Sequence, residues 1–227
     1  MNTRASRLEL SLSGGGLLAL AAAAWLLTPD RMSGMDAGPG TELGSLGWFA
    51  VSWLVMMAAM MLPSLVPAAL AGARAAFVAG YLAVWTAAGL VAYVLFEAIR
   101  ALDLGFLAWE RAGRYVAAGV ILAAAAYQLS GHKAACLDRC RTPPASGLRH
   151  GINCVGCCIG LMAALFALGV MSVTWMAVVA ALIAVERLAP RRTPAVYGVA
   201  ATLAVLGIWM AVAPGDLPGL TLPGAMG

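Results

Sequence analysis

Long apolar segments limit what this chain can fold into more than any other feature of its sequence. Hydrophobic residues make up 63% of the chain and charged residues only 11%, whereas about 25% of an ordinary soluble domain is charged. A helix that spans a membrane needs roughly 20 apolar residues in succession. Seven segments fit this description: Leu10–Thr28, Leu46–Leu62, Ala75–Ile99, Gly113–Ser130, Ile152–Met171, Val173–Leu188 and Pro194–Ala213. The sequence therefore predicts an all-α fold, a polytopic transmembrane helix bundle of about seven spans within a single domain over residues 1–227.

The fifth and sixth segments are almost continuous. No Asp, Glu, Lys or Arg lies between Arg149 and Glu186, and this interval is too long for one ordinary span. We expect a tight helical hairpin near Gly169–Thr174 to divide it. The fourth segment is expected to continue as a helical extension through Cys140, and the fifth to begin near Leu148.

The first segment has a second interpretation. Arg4 and Arg7 precede it, as basic residues precede the apolar core of a secretory signal peptide. However, Trp25-Leu26-Leu27 stands where a cleavage site made of small residues would be expected. We therefore interpret this segment as an uncleaved first helix.

Basic residues are distributed unevenly between the predicted loops. With the N-terminus inside, ten of the 14 Lys and Arg residues fall on the inner side and four on the outer side. Cytoplasmic loops of membrane proteins carry the excess of Lys and Arg. The N-terminus is therefore predicted to be cytoplasmic and the C-terminus external.

A pattern of soft metal ligands occurs twice in the chain. The first copy is His132, Cys136 and Cys140, at steps of four residues, and the second is His150, Cys154 and Cys158 at the same steps. Cys157 adds a third thiol to the second copy, so every cysteine and both histidines of the chain lie in this stretch. A step of four residues on a helix returns to nearly the same face, so each copy forms one stripe. The helix breaker Thr142-Pro143-Pro144 separates the copies, which would let the two stripes face each other around one ion. Seven candidates exceed the needs of one site, so some are supporting groups or two ions are bound.

Thiolates and imidazoles are ligands for Cu(I) and Zn(II). The predicted orientation puts all five cysteines at the cytoplasmic ends of spans four and five, where thiols are kept reduced. Five is also an odd number, which fits complete disulfide pairing poorly. The competing interpretation is that cysteines in a membrane helix are small packing residues.

Polar residues near the same end are candidates for supporting roles. Gln128, Asn153 and Glu186 are predicted to orient ligating side chains from a second layer of contacts, although an ordinary polar interface accounts equally well for Glu186 beside Arg187. Span two contributes a group of thioethers, Met56, Met57, Met60 and Met61. Thioethers bind Cu(I) and suggest a metal path, but methionine also packs adaptably in apolar cores.

Several functional classes find little support. Glu97 and Glu186 lie near the ends of spans, and no ionisable residue lies near the middle of one, whereas proton-coupled pumps and ion transporters usually need such groups. Phosphate-binding loops, paired-carboxylate sites and the zinc-protease helix motif are absent from the sequence. The net charge of +4 follows from the distribution of basic residues around the membrane, and it does not indicate nucleic-acid binding. Catalysis is therefore disfavoured.

Several motifs resemble one bacterial family. They are Tyr127-Gln128-Leu129, Cys136-Leu137-Asp138-Arg139-Cys140-Arg141, Gly147-Leu148-Arg149-His150-Gly151, Cys154-Val155-Gly156-Cys157-Cys158, Ala58-Ala59-Met60-Met61-Leu62-Pro63-Ser64 and Gly169-Val170-Met171-Ser172. The chain resembles the predicted metal-binding integral membrane proteins over residues 48–190, with the spans 10–28 and 194–213 flanking this core. The resemblance implies metal binding by Cys136, Cys140, His150, Cys154, Cys157 and Cys158. His132 depends on the spacing alone.

The leading hypothesis is a multi-pass protein of the bacterial inner membrane that binds Cu(I) or Zn(II) at its cytoplasmic face. Its role would be to handle the metal or to deliver it to a membrane metalloenzyme or another membrane complex. Two alternatives remain. One is a membrane thiol oxidoreductase, since Cys154-x-x-Cys157 has the spacing of a redox pair. The other is an accessory structural subunit of a larger membrane complex.

Overall fold

The computed structural model describes residues 3–32, 43–71, 75–102, 112–141, 146–217 and 220, and all regular structure within these ranges is helical. The α-helices are α1 (Thr3–Met32), α2 (Leu46–Met61), α3 (Val66–Leu70), α4 (Ala75–Ala101), α5 (Arg114–Gln128), α6 (Gly131–Arg141), α7 (Gly147–Leu168), α8 (Val173–Leu188) and α9 (Arg192–Val212). Short 3₁₀ turns cover Leu62–Leu65 and Pro214–Asp216. The predicted all-α class is confirmed for the part of the chain that is described.

The seven predicted apolar segments coincide with α1, α2, α4, α5, α7, α8 and α9. Four helical stretches among the described residues are long and apolar enough to cross a membrane: Leu46–Leu70, Ala75–Ala101, Gly147–Leu168 and Arg192–Val212. With 15 and 16 residues, α5 and α8 are shorter than any of these. The helices are thus compatible with a polytopic bundle, whereas the total of seven spans stays a prediction.

Two features of the sequence set the ends of the helices that carry the cysteines. The Ser146 hydroxyl accepts a hydrogen bond from the Arg149 backbone N–H and caps the start of α7. Gly169 has a φ of +111°, a conformation that residues with a side chain rarely adopt, and it ends α7. The chain then reverses into α8, so the predicted hairpin near Gly169–Thr174 is confirmed.

The predicted extension of the fourth segment through Cys140 is helical, but it is a separate helix. A turn at Leu129 and Ser130 ends α5, and the Ser130 hydroxyl accepts a hydrogen bond of 3.2 Å from the backbone N–H of Lys133 in the first turn of α6. This turn allows α6 to lie against α7 independently of α5. The predicted breaker Thr142-Pro143-Pro144 lies outside the described residues.

Glycines allow α7 to lie in the centre of the bundle, against α4, α5, α6 and α8. A methyl group at Gly147 would collide with the backbone carbonyl of Phe77 in α4, so only glycine permits this approach. A methyl group at Gly156 would lie 2.9 Å from the Cys136 sulfur. Small residues at such crossings let membrane helices pack closely, and here they bring the cysteine-bearing faces of α6 and α7 together.

Candidate metal centre

Three thiols from one helix form the centre of the candidate site. Cys157 and Cys158 follow Cys154 by three and four residues, and this spacing places all three side chains on one face of α7. Their sulfur atoms all lie within 4.8 Å of one another. All three side chains are buried. We call these three residues the thiol triplet.

A fourth thiol reaches the triplet from a different helix. The Cys140 sulfur, on the last turn of α6, lies 3.7 Å from the Cys157 sulfur. Cys140 is half-buried, in contrast to the three cysteines of the triplet. Hydrogen bonding to the Cys154 sulfur helps to hold the proton on Cys140 and raises the pKa of this thiol to about 12.

An arginine supplies positive charge to the thiol triplet. The Arg187 Nη2 atom lies 2.6 Å from the Cys154 sulfur, and 3.6 and 4.0 Å from those of Cys157 and Cys158. Its Nη1 atom donates a 3.2 Å hydrogen bond to the Ser64 hydroxyl. A cation next to a thiol favours the thiolate form, which is the form that binds metals. Arg187 is therefore part of the site and not only part of a polar interface.

Aromatic residues of α4 contact the site from a further helix. The hydroxyl of Tyr81, which is fully buried, lies 3.0 Å from the Cys154 sulfur. His150 packs against the rings of Tyr81 and Phe77, with centroid distances of 5.6 and 5.7 Å. Its buried Nδ1 atom has no hydrogen-bond partner among the described residues. His150 thus lies one turn before Cys154 on the helix that carries the triplet.

The first predicted stripe, His132, Cys136 and Cys140, does not stay together: only its last residue contacts the thiol triplet. Its last residue, Cys140, joins the triplet, while the His132 Nε2 atom lies 3.7 Å from the Cys136 sulfur. Cys136 is buried and His132 is exposed. Tyr127 packs beside this pair and donates a 2.6 Å hydrogen bond to the Gly156 carbonyl. The structure therefore brings together four of the predicted thiols and leaves Cys136 with His132 as a separate pair.

Two of the predicted supporting residues, Gln128 and Glu186, contact a lysine and not a ligating side chain. Both Gln128 and Glu186 contact the Lys133 ammonium group, which is only 1% exposed. The Glu186 carboxylate oxygens lie 2.7 and 2.6 Å from the Lys133 nitrogen. These contacts join α5, α6 and α8 and hold the helix that carries Cys140. The third predicted supporting residue, Asn153, is half-buried on α7.

The methionines of α2 differ in their relation to the site. Met56, Met57 and Met61 are buried among other apolar side chains. Met60 instead lines a cavity of about 210 Å³ that is also lined by Cys140, His150 and Arg187. One member of the predicted metal path therefore lies beside the cysteine site.

Sequence reasoning did not identify three residues that the structure puts at or beside the site. The sequence placed Lys133 only among the inner basic residues and Arg187 only beside Glu186 in a polar interface, and it gave no signal for Tyr81. Arg187 lies 29 residues after Cys158 in the chain, and nothing in the local pattern connects them. A signal was available only in the pairing of Glu186 with a basic residue in an otherwise uncharged region.

Comparison with known proteins identifies the class to which this fold and thiol site belong. Residues 50–210, more than two thirds of the chain, match the family model described as PpoB2, copper chaperone. The chain belongs to this family. No curated protein and no solved structure matches it. Family membership and the buried triplet together support metal binding and favour copper, while neither supports zinc specifically.

Proposed function

We propose that this protein is a membrane-embedded copper chaperone, which binds Cu(I) through Cys154, Cys157 and Cys158. The observation that carries the proposal is the burial of three thiols within 4.8 Å of one another in a chain of the copper chaperone family. Thiolates are soft ligands that select soft ions such as Cu(I). A site with sulfur ligands in a dry environment also protects Cu(I) from water.

Arg187 has a defined part in this function. A Cu(I) ion bound by thiolates carries net negative charge, which is costly to bury without a partner. The Arg187 guanidinium lies within 4.0 Å of all three sulfurs and compensates that charge. Tyr81 adds a hydroxyl at 3.0 Å from Cys154 that donates a hydrogen bond to a thiolate there. His150, whose Nδ1 atom has no hydrogen-bond partner in the described part of the chain, is a further candidate ligand one turn before Cys154.

The proposed location is the bacterial inner membrane. The four long apolar helices are candidates for four of the seven predicted spans, and the excess of basic residues on one side favours a cytoplasmic N-terminus. In this orientation the cysteine site lies at the cytoplasmic end of the bundle, in a reducing compartment. The proposed partners are the lipid bilayer and a membrane metalloenzyme, or another membrane complex, that receives the copper.

The test is the copper content of purified protein. Wild-type protein, purified anaerobically and loaded with Cu(I), should retain copper measurable by mass spectrometry. The double variant Cys154→Ser with Cys158→Ser should lose stoichiometric binding, because serine is a far poorer ligand for a soft ion. Met176→Leu is the matched control: it removes a fully buried sulfur of α8 at nearly constant volume and should leave binding unchanged.

Two results would contradict the proposal. The first is copper retained at full stoichiometry by the double serine variant. The second is a wild-type protein that binds no copper but forms a reversible disulfide between the Cys140 and Cys157 sulfurs, which are 3.7 Å apart. The second result would favour the alternative function, a thiol oxidoreductase. Counting free thiols before and after mild oxidation distinguishes the two functions.

A further inference from the structure

A cavity lies between the residues around the buried thiol triplet and the outside of the helix bundle. Its volume is about 210 Å³, and we call it the exchange cavity. Its lining includes Met60, Pro67, Ala71, Cys140, Arg141, His150, Arg187 and Leu188. Pro67, Ala71, Arg141 and Leu188 are exposed, whereas Met60 and His150 are buried. The exchange cavity therefore runs from the surface to the neighbourhood of the thiol triplet.

Cys140 contacts the thiol triplet and also lines the exchange cavity. All five cysteines lie in the described part of the chain, and among them Cys140 lines the exchange cavity. Its sulfur is also in contact with the triplet, at 3.7 Å from the Cys157 sulfur. The triplet itself is buried behind it. Cys140 is therefore the cysteine next to the triplet that a copper ion in this cavity can reach.

We propose that Cys140 is the exchange ligand of the copper site and transfers Cu(I) between the thiol triplet and an acceptor in the exchange cavity. This inference rests on the proposed function and adds to it a residue and a direction of transfer. Cys140 is suited to the role because its helix, α6, is separate from α7. A ligand on a different helix can approach or leave the ion without disturbing the triplet.

The exchange step is a substitution of one sulfur for another. A bond forms between Cu(I) and the Cys140 sulfur while the bond between Cu(I) and the Cys157 sulfur breaks. The proton of the Cys140 thiol moves to Cys157, so the total charge stays the same and copper stays Cu(I). The Met60 thioether, which also lines the exchange cavity, offers the next soft ligand. A thiol of the acceptor that enters the cavity then binds Cu(I) while the bond between Cu(I) and the Cys140 sulfur breaks, and the proton of that thiol moves to Cys140.

The experiment compares how fast copper leaves the protein with how much copper it holds. Full-length variants in detergent are loaded anaerobically with Cu(I) and mixed with excess bicinchoninate, and capture is followed by absorbance. Cys140→Ser should hold as much copper as wild type but release it more slowly. We expect a decrease in rate of roughly 10–100-fold, the range by which groups around a metal site change its affinity or activity. Cys140→Met, which restores a soft ligand, should recover much of the rate.

A second pair of variants examines the cavity wall. Met60→Leu keeps the volume and removes the sulfur, so it should slow capture without lowering the copper content. Met57→Leu is the matched control, because Met57 is fully buried on the same helix and does not line the exchange cavity. It should release copper at the wild-type rate. Equal thermal stability of all variants confirms that they are folded.

Three results would overturn the inference, and they are distinguishable. Release from Cys140→Ser at the wild-type rate would mean that copper leaves by another path. Loss of bound copper from Cys140→Ser would make Cys140 a permanent ligand, while the proposed function would stand. Failure of the wild-type protein to bind Cu(I) would refute the proposed function and the exchange role together.

Discussion

The buried ion pair between Lys133 and Glu186 holds α6 on the bundle, so we expect substitutions in this pair to change the free energy of unfolding. Lys133 and Glu186 are 1% and 2% exposed, and their charged atoms are 2.6 Å apart. Substituting Lys133→Met removes the positive charge and leaves the Glu186 carboxylate buried without the ammonium group that it pairs with. Because α6 carries Cys140, this substitution also loosens the attachment of the proposed exchange ligand.

The magnitude follows from the burial of both partners. Breaking a buried pair from one side costs about 3–5 kcal/mol, whereas replacing both partners with apolar residues is often neutral or stabilising. Lys133→Met should therefore lower the free energy of unfolding by about 3–5 kcal/mol. At roughly 2–4 °C per kcal/mol for a chain of this size, the melting temperature should fall by about 6–20 °C. The double variant Lys133→Met with Glu186→Met should recover most of this loss.

The assay is thermal unfolding in detergent with a thiol-reactive fluorophore, which labels the buried cysteines as they become accessible. The control is Arg192→Gln in the pair between Arg192 and Asp138, where the Asp138 side chain is 62% exposed. An exposed pair of this kind contributes less than about 1 kcal/mol, so the control should melt close to wild type. A single Lys133→Met variant as stable as the control, or a double variant as unstable as the single, would refute the reasoning.

Two further predictions concern the site and the membrane. Arg187→Gln keeps hydrogen bonding but removes the charge near the triplet. A charge-assisted hydrogen bond contributes about 1.5–3 kcal/mol, so the Cu(I) dissociation constant, measured by competition with a chelator, should rise roughly 10–100-fold; an unchanged constant would contradict the charge-compensating role. A reporter enzyme fused after Gly227 should be active outside the cytoplasm, because seven spans with a cytoplasmic N-terminus put the C-terminus outside. A reporter active in the cytoplasm would rule out seven spans in this orientation.

The sequence by itself determined the local features of this protein. Apolar segments of the right length predicted where the helices lie, because that information is contained in consecutive residues. The steps of four between His150, Cys154 and Cys158 predicted a common face of one helix, since an α-helix repeats every 3.6 residues. Gly169 marked the hairpin between α7 and α8. Each of these predictions depends on residues that are close together in the chain.

The tertiary structure alone decided which residues meet across helices. The two predicted stripes looked equivalent in sequence, yet Cys140 reaches the triplet while Cys136 pairs with His132. The turn at Leu129 and Ser130 and the crossing of α6 over Gly156 set this difference. Helix rotation and crossing depend on packing over the whole contact surface, which no local pattern encodes.

The same reason explains the charged and aromatic groups around the thiols. Arg187 and Tyr81 contact Cys154 from 33 and 73 residues away in the chain. Their importance comes from the dry environment that the packed helices create, in which each charge or hydroxyl needs a partner. Helix packing determines that environment, and it therefore also determines which residues accompany the predicted cysteines.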